Sequence, residues 1–209
     1  MKTLPELIIP AKSAVIVVDV QNDFCRPEGA LGKAGAPTAA AMEMIPNLQR
    51  LLAAARATKT PVIFVQTIHE AATDSDVWTW RMAGAVGGCC RKNTWGAEFT
   101  EVGPLDDEPV VIKHRYSAFI NTRLDSVLRT LKIENLIMTG VSTNVCVEST
   151  ARQGYMLDYN IVFLSDCTAA YSQEEHDIAL YNMRTHFGVV ATATDVIEAW
   201  NALPALSPA

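Results

Sequence analysis

Three residues far apart in the chain carry side chains that could act together on a carbonyl carbon: Asp19, Lys113 and Cys146. A carboxylate can take a thiol proton, an ammonium can hold negative charge beside sulfur, and a thiolate can attack. Cys146 follows an apolar, strand-like run, Leu136 to Met138, which breaks at Thr139-Gly140 before a helix that starts near Asn144 or Val145. Ser142, Thr143 and Asn144 each offer a capping oxygen for that helix. Cys146 therefore falls in a first helical turn, where partial positive charge and free amides favour thiolate and can receive an oxyanion. The helix end alone contributes ~0.3–1 kcal/mol, less than the ~1.4 kcal/mol that one pKa unit requires. A cation and a base must come from elsewhere in the chain. Each of the three residues also has a plainer reading: Cys146, between two valines, as a small buried hydrophobe, Asp19 as a turn-former, Lys113 as a solvated edge charge.

The elements that would position these groups are aliphatic runs alternating with helical patterns. Strands are expected at Ala14–Asp19, Pro61–Gln66, Pro109–Lys113, Asn160–Asp166 and Phe187–Ala191, besides the run before Cys146. Helical patterns cover about 37–58, 121–132 and 173–185, and a last one starts at Thr194 or Asp195. This alternation predicts an α/β fold with a largely parallel sheet covered on both faces. Asp19, Lys113 and Cys146 then all reach the carboxyl rim of the strands, where such sheets build their sites. Val20-Gln-Asn-Asp-Phe24 lacks the glycines of a dinucleotide-binding turn. Residues 70–108, with Trp78, Trp80, Arg81 and Trp95, form the least regular stretch and read as a lid or binding loop, or as cover for a core edge or subunit interface.

The 209 residues suffice for one sizeable core, and a single domain over 1–209 is the simplest organisation. The net charge of −6 offers no basic face for nucleic acid or an anionic membrane. No apolar run reaches the length of a membrane span and the N-terminus lacks a signal-peptide core, so a cytoplasmic protein with a small-molecule partner is expected. Cys25, Cys89, Cys90, Cys146 and Cys167 show neither CxxC nor zinc-finger spacing, and adjacent Cys89 and Cys90 are read as reduced thiols.

Ala14-Val-Ile-Val-Val-Asp-Val-Gln-Asn-Asp-Phe24, Lys113-His-Arg-Tyr-Ser-Ala-Phe119, Gly140-Val-Ser-Thr-Asn-Val-Cys-Val-Glu-Ser-Thr150 and Asp166-Cys-Thr-Ala-Ala170 resemble, in order, the motifs of the isochorismatase-like cysteine hydrolases. The resemblance implies a three-layer α/β/α domain with a six-stranded, mainly parallel sheet, assembled as a homodimer or homotetramer. It implies a catalytic triad of Asp19, Lys113 and Cys146, a cis peptide between Val141 and Ser142, and an oxyanion hole from the backbone amides of Ser142 and Cys146. Thr67-Ile-His69-Glu lacks the Asp-x-His metal motif of nicotinamidase-like members, so neither a metal nor another cofactor is expected. The vinyl-ether hydrolases acting on isochorismate lack the nucleophilic cysteine that this chain has. The motifs are similar to those of ureidoacrylate, biuret and N-carbamoylsarcosine hydrolases, which implies a small amide or ureide substrate. Within that picture Gln21 and Asn22 present amides near Asp19, and Phe24, Trp78, Tyr116 and Phe119 wall the pocket. Phe24 and Phe119 fit plain core equally well. Arg81 or Arg115 would hold a substrate carboxylate.

Overall fold

Six aliphatic runs pair into one all-parallel sheet: β1 (Ser13–Val18), β2 (Val62–Thr67), β3 (Val110–Lys113), β4 (Asn135–Val141), β5 (Asn160–Ala169) and β6 (Gly188–Ala191). The computed structural model describes residues 2–82 and 87–202. Strand order is β3-β2-β1-β4-β5-β6. Every residue of β1 and β4 is buried, which is why these strands are continuous apolar runs rather than alternating ones.

The pleat divides their side chains between two cores. Val15, Val17, Phe64, Ile137 and Val162 pack under α1 (Ile45–Ala57), where Leu48, Leu51 and Leu52 meet them. Ala14, Ile16, Val65, Met138 and Phe163 face the other layer, with Leu124 and Leu128 of α2 (Leu124–Thr130) and Ala151 of α3 (Glu148–Met156). Two further helices, α4 (Gln173–Asn182) and α5 (Ala193–Asn201), complete the two layers. Trp200 of α5 anchors its layer by donating from Nε1 to the Ile8 carbonyl at 2.7 Å. This is the three-layer α/β/α arrangement that the alternating pattern predicts.

Differences from the expected elements have local causes. The helix read over 37–58 is two helices, Ala39–Glu43 and α1, with Pro46 in the first turn of the second, where a missing N–H costs nothing. β4 runs past Met138 to Val141 because Gly140 lets it lie against β1: a Cβ there would sit 2.0 Å from the Val18 carbonyl oxygen, and φ is +111°. The sheet changes winding direction between β1 and β4, so the chain leaves their paired carboxyl ends in opposite directions around a crevice. Among the described residues no helix is long and apolar enough to cross a membrane.

Candidate active site

Three adjacent strands and one helix deliver the reactive groups to that crevice. Asp19 directly follows β1 and takes φ +53°, a left-handed conformation that aspartate tolerates better than bulkier residues. The Gln21 N–H donates to its carbonyl at 2.7 Å, fixing the turn. Lys113 is the last residue of β3 and lies in register with Thr67, the last of β2. Its side chain crosses β2 to Asp19, with Nζ 2.7 Å from Oδ2, and both side chains are almost completely buried. Lys113 Nζ also donates to Thr67 Oγ1 at 2.8 Å, to the Arg115 carbonyl at 3.0 Å and to Cys146 Sγ at 3.4 Å. Thr67 Oγ1 in turn donates to Asp19 Oδ1 at 3.0 Å. The ammonium has three protons and faces four acceptors, Asp19 Oδ2 among them.

Cys146 lies in a π-helical turn, Thr143–Val147, that leads into α3; such turns recur at functional sites. Thr150 Oγ1 donates to the Cys146 carbonyl at 2.7 Å and accepts from the Ala118 N–H at 3.0 Å, tying the turn to the loop after β3. The peptide bond between Val141 and Ser142 is cis. Ser142 and Cys146 both line a cavity of about 170 Å³.

The charge state differs from the sequence expectation of a thiolate. Burial is the largest influence on Cys146 and, with the Asp19 carboxylate, outweighs the favourable Lys113 charge, pushing the thiol up to about 12. Burial also pulls the Lys113 pKa down, but the Asp19 carboxylate first, and the contact with Cys146 Sγ after it, more than offset this, and the ammonium is held above its ordinary value. The resting trio is therefore carboxylate, ammonium and thiol. A first-turn helix charge is too small to overcome the burial of the sulfur.

Of the expected pocket residues, Phe24, Trp78 and Tyr116 line the cavity. Trp78 lies between His69, 4.9 Å away between ring centroids, and Tyr116 at 5.4 Å. Four expected contacts are corrected. Gln21 is fully buried and holds the backbone instead: Nε2 donates to the Thr67 and Ala97 carbonyls at 2.9 and 2.7 Å, and Oε1 accepts from the Thr67 N–H at 2.8 Å. Asn22 Nδ2 donates to the Trp95 carbonyl at 2.8 Å. Both amides satisfy irregular backbone that no ladder serves. Phe119 is core, stacked on Tyr159 at 5.9 Å. Arg81 is exposed and outside the cavity wall.

Arg115 does reach the wall, but its guanidinium fastens the segment after β2. Nη1 and Nη2 donate to the Thr73 carbonyl at 3.1 Å each, Nη2 to Ser75 Oγ at 3.2 Å, and Cζ lies 5.1 Å over the Trp78 ring. The irregular stretch thus contributes Trp78 and Met82 to the cavity; part of it, 83–86, lies outside the described residues. Leu31, Thr67, Met82 and Tyr171 were not singled out from sequence as wall residues. Only Thr67 carried a signal, as a polar residue at a strand's carboxyl end.

Cys89 and Cys90 are free, with sulfurs 3.8 Å apart. With Asp23 they form a group whose potential ligand atoms lie within 4.8 Å of one another. The Asp23 carboxylate already accepts from the Ala30 and Cys90 N–H groups at 2.8 and 2.7 Å.

The model of the isochorismatase domain family matches residues 13–195. The ureidoacrylate amidohydrolase RutB of Serratia proteamaculans is 37% identical over 205 residues, covering 90% of this chain and 83% of the relative. A cysteine hydrolase structure from Pseudomonas syringae pv. phaseolicola has a TM-score of 0.83 at 30% identity, covering 94% of this chain and 95% of the other. The N-carbamoylsarcosine amidase of Thermoplasma acidophilum has a TM-score of 0.72 at 26% identity, covering 87% and 96%. The matched stretch contains Asp19, Lys113 and Cys146 together with all six strands, and the chain belongs to the isochorismatase family.

Proposed function

We propose that this protein is a cysteine amidohydrolase that cleaves a C–N bond of a small ureido, carbamoyl or carboxamide compound. The observation that carries the reading is the meeting of buried Asp19 with Lys113 and Cys146 of the cavity wall, with the ammonium 2.7 Å from the carboxylate and 3.4 Å from the sulfur. The relatives named for ureidoacrylate and N-carbamoylsarcosine support the substrate class.

Asp19 accepts the Cys146 proton as the sulfur attacks the carbonyl carbon, so a free thiolate need never accumulate. This matches a thiol raised by burial beside a carboxylate. Lys113 keeps its charge throughout and stabilises negative charge first on Asp19 and then on sulfur. The tetrahedral oxyanion is received by the backbone N–H groups of Ser142 and Cys146. Collapse breaks the C–N bond, and Asp19 returns its proton to the departing nitrogen. A thioester, or S-carbamoyl enzyme, remains. Water then attacks it, with Asp19 taking the water proton and passing it back to sulfur as the acid product leaves. Base, cation and nucleophile are all side chains, so the sequence of steps needs no metal.

A Cys146→Ala variant should lose turnover, by about 10⁴-fold or more for removal of a covalent nucleophile, while its far-UV circular dichroism and melting temperature stay close to wild type. An ammonia-release assay over ureidoacrylate analogues, biuret, N-carbamoyl amino acids, maleamate and nicotinamide measures it. Retained turnover in the variant refutes the nucleophile.

A further inference from the structure

One polar group in the cavity wall has no task in these steps. His69, two residues beyond Thr67, is only 5% exposed and lines the cavity. Among the described residues its Nδ1 is walled off without a hydrogen-bond partner. The residue itself is firmly held. Its backbone N–H donates to the Cys90 carbonyl at 2.9 Å, its carbonyl accepts from the Lys92 N–H at 3.1 Å, and its ring lies against Trp78. Burial, then the nearby charges of Lys113 and Arg91, push its pKa down to about 4, and the ring is neutral at physiological pH.

A neutral imidazole has one proton to place. On Nδ1 it would be a buried N–H with no acceptor, which proteins avoid more strictly than an unused lone pair. On Nε2, at the ring's other edge, it becomes a donor offered to the cavity. We propose that His69 determines specificity by donating from Nε2 to an oxygen of the substrate other than the scissile carbonyl. The substrate class is then a small, flat amide with a second oxygen acceptor, a carbonyl or a carboxylate, its body packed against Trp78. This deepens the amidohydrolase reading and rests on it.

Three ligands of one shape separate the possibilities: maleamate carries a carboxylate, maleamide a second carbonyl, and cis-crotonamide neither. Their affinities are measured by calorimetry on the Cys146→Ala protein, which cannot consume them, with and without His69→Phe. Binding of maleamate, maleamide or both should weaken at least tenfold, and that of cis-crotonamide less than twofold. His69→Gln, which keeps an N–H donor, should restore most of the loss. Whichever ligand suffers identifies the acceptor as carboxylate or carbonyl. Equal losses for all three, no loss for either oxygen-bearing ligand, or no binding by any of them overturns the proposal. Ammonia release by the wild-type enzyme is followed separately. Selective binding without release would sink the hydrolase reading and leave His69's role standing.

Discussion

Replacing Lys113 by Met should destabilise the fold as well as stop catalysis, because it strands a charge. The ammonium lies 2.7 Å from Asp19 Oδ2, the two side chains are 1% and 0% exposed, and afterwards Asp19 keeps the neutral Thr67 hydroxyl at 3.0 Å but has lost its cation. Breaking a buried pair from one side costs about 3–5 kcal/mol. An independent bound agrees. A carboxyl of ordinary pKa near 3.9 can escape by protonation, at ~1.36 kcal/mol per pH unit, or about 4 kcal/mol at pH 7. For a chain of this size that lowers the melting temperature by about 6–20 °C. The same arithmetic gives only about 1.5 kcal/mol at pH 5, so the deficit should shrink as pH falls. In the double variant Asp19→Asn, Lys113→Met no charge is left buried, and it should be more stable than Lys113→Met alone at pH 7. Urea denaturation of the three proteins at pH 5 and 7, followed by circular dichroism, measures every quantity. A Lys113→Met protein within about 1 kcal/mol of wild type, or a deficit independent of pH, would refute the buried-pair account.

Gly140→Ala should cost about 3 kcal/mol or more, since its methyl would meet the Val18 carbonyl at 2.0 Å with φ at +111°; an unchanged urea midpoint would show that β1 and β4 do not approach so closely. Alkylation of Cys146 by iodoacetamide should be slow at pH 7 and rise about tenfold per pH unit to pH 9, because the thiol stands near 12. Peptide mapping by mass spectrometry separates it from the other four cysteines, and a rate that levels off below pH 8 would mean that thiolate is already the resting form.

The fold was legible because its signals are local and repeated. Each strand is an aliphatic run, the central ones such as Ala14-Val-Ile-Val-Val buried on both faces, and the helices between them show their own period. The trio was legible because each member ends or follows a strand, and parallel pairing brings those ends to one rim. The pocket wall was not. Gln21 and Asn22 sit beside Asp19 in sequence, yet their amides serve the carbonyls of Thr67, Trp95 and Ala97, tens of residues away. Nothing near them in the chain announces that demand. The thiolate expectation failed for a related reason: a helix-end charge can be read from spacing, whereas burial of the sulfur depends on what the whole fold packs around it. His69 marks the limit of the method. A histidine after a strand is commonplace, and only its unsatisfied Nδ1, a property of every neighbour at once, sets it apart. A chain that satisfies Gln21, Asn22 and Arg115 so fully, at the same site, has the donors and acceptors to satisfy His69 too. That it does not places the ring's proton on Nε2, and the acceptor for that proton is to be sought in the ligand.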